Sequence, residues 1–173
     1  LRLVGSEMCI RDSYNRLDYS LLSDYKLYNP SIELARGCGR GCAYCADGNK
    51  KKSSVKDANS VIDELHFVEQ TYDYEDFNIY FQMATFQVED RWIELYRRRM
   101  CEFDKIFYWR CTSRIDALDL KSIPKLGQIG MRVLDLGLES ASHRQLKLMK
   151  KTTNPKDYLQ KAEEILHLSL IHI

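Results

Sequence analysis

The chain has 173 residues, 45% of them apolar and 29% charged, with 26 lysines and arginines against 25 aspartates and glutamates. That is enough for one domain with a real core and excludes a disordered chain. A net charge of +1 gives no ground for nucleic-acid or membrane-surface binding, and no apolar run nears the roughly 18–20 residues a bilayer span needs.

Residues 1–13, ending Glu7-Met8-Cys9-Ile10-Arg11-Asp12-Ser13, hold no period and read as translated sequencing-adapter sequence. Residues 169–173, Ser169-Leu170-Ile171-His172-Ile173, read as its counterpart at the other end. Residues 14–29 carry Leu17, Tyr19, Leu21, Leu22, Tyr25 and Leu27 with neither period sustained, as in a packed lead-in or linker. The main unit is then expected over residues 30–168. Pro30 extends the residue before it, and 31–35 alternate like a short strand.

Lys50, Lys51 and Lys52 form a charge run that reads as a solvated face. Ser53-Ser54 is placed to cap a helix bearing Val55, Ala58, Val61, Ile62, Leu65 and Val68 on one face. Residues 77–81 predict the next strand, and 89–100 a helix with Glu89-Asp90 at its start. Residues 105–111 predict an aromatic strand whose unbroken apolar run suits burial on both faces. A weaker helix is expected around 119–128, interrupted by Pro124 and Gly127. Residues 131–138 predict a fourth strand and 143–151 a short helix. Asn154-Pro155 makes a cap and first position for a helix over 156–166. Four strand–helix alternations predict an α/β fold of βαβ units with a parallel sheet. Periodicity alone leaves open whether that sheet is doubly wound or part of a barrel.

The chemistry concentrates between the first strand and the first helix. Cys38, Cys42 and Cys45 fall within eight residues, as Cys-x3-Cys-x2-Cys, among Gly37, Gly39, Gly41 and Gly48. Thiolates are the ligands iron–sulfur clusters use, and glycines let the backbone curl round a bulky core. Neighbours this close are poorly placed to pair as disulfides, so the bunch favours metal and a reducing, cytoplasmic setting. Zinc ribbons use paired knuckles, and this chain has one. Bacterial ferredoxins place a fourth cysteine nearby, and none follows. Coincidental buried cysteines are the remaining alternative. Three local thiolates would leave one iron free to bind a small molecule.

With Tyr44 just before the last cysteine, Cys38-x3-Cys42-x2-Cys45 after a first strand resembles the radical S-adenosylmethionine (SAM) superfamily. The resemblance implies a partial (β/α) TIM-like barrel of about four units. It implies a 4Fe–4S cluster on Cys38, Cys42 and Cys45, whose open iron chelates SAM and whose electron cleaves it to a 5′-deoxyadenosyl radical. It implies adenine against Tyr44, and the SAM amine near the carbonyls of Gln82 and Met83, where the family's Gly-Gly-Glu is absent. Gly137-Leu138-Glu139-Ser140 is similar to the family's Gly-x-Glu-Ser, which puts Glu139 or Ser140 near the ribose or the methionine group. Arg110, Ser113, Arg114 and Asp116 are expected at the same mouth, Arg114 pairing with a SAM carboxylate, with Asp116 or with Glu139. Residues 33–38 and Gly48-Asn49 resemble the subgroup with an N-terminal cobalamin-binding domain, and 18–22 its linker. Cobalamin would then bind through a domain outside this chain. The expected partners are a small-molecule or peptide substrate of unknown identity and an electron donor such as flavodoxin or ferredoxin. Two further readings are an inactive iron–sulfur or zinc-binding fragment and an RNA-modifying methylthiotransferase-like protein. Neutral overall charge weighs against the latter.

Overall fold

The computed structural model describes residues 16–46, 50–52, 54–72, 78–151 and 154–167. The two terminal tails with Cys9, and also Gly48, Asn49, Ser53 and Phe77, lie outside the described residues.

Four short strands are laid down in chain order: β1 (Ser31–Glu33), β2 (Asn78–Gln82), β3 (Tyr108–Ser113) and β4 (Met131–Leu136). Each pairs in parallel with the next, so the sheet order is β1-β2-β3-β4. A doubly wound sheet reverses its strand order at a switch point. Strict sequential order is the arrangement of a barrel wall, and the partial (β/α) barrel follows.

Helix α1 (Ala58–Thr71) links β1 to β2, α2 (Asp90–Arg99) links β2 to β3, and α3 (Ile123–Gln128) links β3 to β4. Helices α4 (His143–Leu148) and α5 (Pro155–His167) follow the last strand. Ala58, Val61, Ile62, Leu65 and Val68 recur at three-to-four spacing and are all buried on α1, which is the stripe that seats it on the sheet. α2 buries Trp92, Ile93 and Tyr96, and α5 buries Tyr158, Ala162 and Ile165.

On the sheet side, Ile32, Ile79, Phe81, Trp109 and Cys111 are buried. Phe81 and Trp109 lie with ring centroids 4.7 Å apart, and the Trp109 indole N–H donates to the Ile129 carbonyl at 2.9 Å. Burying a side chain such as Phe81 contributes about 1.5–3 kcal/mol.

Several predicted elements shift. β3 begins at Tyr108 and alternates, with Tyr108 and Arg110 exposed between Trp109 and Cys111, so it is covered on one face only. Pro124 does not interrupt its helix; it occupies the first turn of α3, where a missing N–H costs nothing. A separate single turn, Leu120–Ser122, precedes it. Asp57, not Ser54, caps α1, accepting from the Asn59 N–H at 3.0 Å. α4 stops at Leu148, and Lys151 turns inward beyond it. In the lead-in, the Tyr19 hydroxyl bonds both backbone groups of Ser31 and so fixes the start of β1. Among the described residues no helix is long and apolar enough to cross a membrane.

Candidate functional site

The cysteine loop grows from the C-terminal end of β1. The Leu34 N–H continues the ladder onto the Gln82 carbonyl at 2.9 Å, and buried Leu34 and Ala35 anchor the chain before it turns. Gly37, Gly39 and Gly41 then adopt φ of +69°, +70° and +69°. The intervening Cys38 and Arg40 have ordinary negative φ, and this alternation curls the backbone as in anion-binding nests. The return leg closes on the loop: the Cys38 N–H donates to the Lys50 carbonyl at 3.1 Å.

All three thiols are free; Cys42 is buried, Cys38 half-buried and Cys45 exposed. The Cys38 sulfur lies 3.2 Å from the Thr85 hydroxyl, beyond the end of β2. The Cys42 sulfur accepts from Arg114 Nη1 at 3.1 Å, at the end of β3. Arg114 also forks onto both oxygens of Asp116 at 2.8 and 2.7 Å, which holds the Asp116 carboxyl below the usual carboxylate range.

The turn after β4 forms the far wall. Glu139 takes φ +65°, a left-handed conformation rare for its type and of the kind that collects at functional sites. Its carboxylate accepts from buried Lys151 at 3.0 Å, and that ammonium also donates to the Gly137 carbonyl. Tyr44 lies near the same carboxylate, close enough for each group to shift the other's titration. Lys151 and then Tyr44 hold Glu139 below its ordinary value, while desolvation and Glu139 together push the Tyr44 hydroxyl up. The Ala43 N–H donates to the Met149 carbonyl at 2.9 Å, tying the cysteine loop to the segment leading to Lys151.

The structure therefore gathers separate pairings at the C-terminal strand ends: Cys38 with Thr85, Cys42 with Arg114, and Glu139 with Lys151, with Tyr44 near Glu139. Gln82 is exposed with its carbonyl engaged by Leu34, and the Met83 side chain is buried beneath it. The Ser140 hydroxyl accepts from the Ser142 N–H at 3.0 Å, shaping its own turn. Arg110 lies mid-strand, and its side chain pairs with Asp135 of β4 at 2.6 Å. Sequence reasoning missed Thr85 and Lys151. Nothing local separates Lys151 from the exposed Lys147 and Lys150.

Among the described residues no three His, Cys, Asp or Glu side chains converge as a ready ion cage. The donor chemistry nonetheless fits an iron–sulfur cluster. Three free thiols share one curled loop, and two sulfurs already have outer polar partners of the kind that orient metal ligands.

Comparison with known proteins follows the same line. A family model described as the radical SAM superfamily matches residues 32–171. The structure of the cobalamin-dependent S-adenosylmethionine radical enzyme OxsB aligns with a TM-score of 0.68 at 17% identity, over 83% of this chain and 23% of that one. That of the radical S-adenosylmethionine methyltransferase TsrM from Kitasatospora setae, with cobalamin and a 4Fe–4S cluster bound, aligns with a TM-score of 0.65 at 15% identity, over 84% and 29%. The chain thus spans about a quarter of the length of these structures. No curated protein matches it in sequence.

Proposed function

The chain belongs to the radical SAM superfamily, and from that premise we propose that it holds a 4Fe–4S cluster through Cys38, Cys42 and Cys45 and binds SAM beside it. The supporting observation is the loop of three free thiols at the C-terminal end of β1, the strand end where α/β barrels carry their active loops. Held by Cys38, Cys42 and Cys45, a cluster would supply the electron for reductive cleavage of SAM to a 5′-deoxyadenosyl radical, the species that would take a hydrogen atom from substrate.

The chain's own residues bind, orient and enclose. Tyr44, half-exposed and near Glu139, offers its peptide and ring to the adenine. Glu139, fixed by Lys151, and Ser140 face the ribose or the methionine group. The carbonyls of Gln82 and Met83 receive the SAM amine, that of Gln82 with a lone pair besides the one used by Leu34. In the whole protein, a cobalamin-binding domain would join through residues 14–29, a small-molecule or peptide substrate would enter from the strand ends, and flavodoxin or ferredoxin would deliver the electron.

Anaerobic reconstitution of the chain tests the reading. We expect about four iron and four sulfide per chain, lost on replacing any of the three cysteines by alanine. The reduced, loaded chain should release 5′-deoxyadenosine from SAM. Uptake of zinc without sulfide would instead support an inactive metal-binding fragment.

A further inference from the structure

Arg114 is built against a sulfur. It stands at the end of β3, is 8% exposed, and touches Cys42, itself 8% exposed. Nη1 donates to the Cys42 sulfur at 3.1 Å, while Nε and Nη2 are both spent on Asp116. The turn Ile115–Ala117 fixes that clamp: the Ala117 N–H donates to the Arg114 carbonyl at 3.0 Å, and Ile115 and Ala117 are buried. Arg40 approaches Asp116 from the other side at 4.0 Å. The guanidinium is thus held with Nη1 on the Cys42 sulfur and its other two donor nitrogens on Asp116.

A fixed cation that donates to a ligand sulfur withdraws charge from it. It also favours whichever state of a bound cluster is more negative, which is the reduced one. Screening is weak because both partners are buried.

We propose that Arg114, clamped by Asp116, is a positioning residue that acts through Cys42 to raise the reduction potential of the cluster. The role rests on the cluster assignment above. It separates Arg114 from SAM binding and makes it a determinant of how readily a donor can load the electron.

The test compares the chain with Arg114→Met and Arg114→Lys after anaerobic reconstitution. Iron and sulfide are counted first, and the midpoint is then read by a redox titration followed by electron paramagnetic resonance. Arg114→Met is expected to load the same iron yet be about tenfold harder to reduce, a midpoint lower by about 59 mV for a one-electron couple. Arg114→Lys keeps the charge without the fork and should fall between the two. A purely structural role would change loading or melting and leave the midpoint of the loaded fraction alone. Loaded Met and Lys variants with the parent midpoint overturn this inference while the cluster assignment stands. A parent chain that binds no iron and sulfide overturns both. If Arg114→Met fails to load, the Lys midpoint decides, and an unchanged or higher value counts against the role.

Discussion

Gly37 and Gly39 share a left-handed backbone but not the same surroundings. A Cβ on Gly37 would lie 2.4 Å from the Lys51 carbonyl oxygen, whereas one on Gly39 meets nothing closer than 3.7 Å. The backbone conformation alone costs an L residue about 1–2 kcal/mol. Gly39→Ala should therefore lose about that much stability, and Gly37→Ala clearly more, with impaired iron loading, since the Cys38 bond to Lys50 is adjacent. Thermal melts and iron analysis of the two variants check this; equal losses would contradict it. Glu139 supplies a pH test. Its folded-state value lies below the ordinary 4.5, first because of Lys151 and then Tyr44. The ionised pair therefore stabilises the fold fully above pH 4.5, and that contribution is lost as pH falls through the lower folded value. Between about pH 6 and about pH 3, the melting temperature of the parent should fall more steeply than that of Glu139→Gln. Parallel curves would show that the pair does nothing for the fold. That three free thiols share one loop was legible because thiol spacing is local. Lys151 was not, because its burial is decided by the turn that follows α4 and sets its ammonium on Glu139 and the Gly137 carbonyl.

Among the elements, α2 carries an evident flaw. The hydroxyl of Tyr96 is buried and, among the described residues, has no hydrogen-bond partner. An unpaired buried hydroxyl costs roughly 1–3 kcal/mol. Tyr96→Phe keeps the ring against Phe81 and Trp92 and should raise stability, by about 1 kcal/mol. A denaturant titration measures it, and a loss of stability would mean that the hydroxyl is satisfied in solution. Element starts were readable where a cap and a proline coincide: Asn154 accepts from the Lys156 N–H at 3.1 Å, and α5 begins at Pro155. They were misread where two capping groups compete, as with Ser54 and Asp57. β3 was misread for another reason. Ile106-Phe107-Tyr108-Trp109 is apolar throughout, but Ile106 precedes the strand and Tyr108 faces outward, where its ring carries Arg132 at 4.4 Å. Composition did not reveal which face lacked cover.

At the scale of the molecule, the four strands form a wall and not a closed barrel. Among the described residues β1 pairs only with β2 and β4 only with β3, so each presents an open edge. Such edges promote pairing with other chains. The chain alone should self-associate as its concentration rises, which light scattering after size exclusion would register; a monomer at every concentration would argue that the edges are covered. Alternation of strands and helices was legible in the sequence, but the choice of a barrel wall over a doubly wound sheet needed the strand order itself. The central claim is that three thiolates hold a cluster with one iron left for SAM. Its most direct measurement is the Mössbauer spectrum of the reconstituted chain before and after SAM is added. The account predicts one iron site whose signal separates from the others when SAM binds. A spectrum unchanged by SAM, or a chain that takes up no iron, would contradict it.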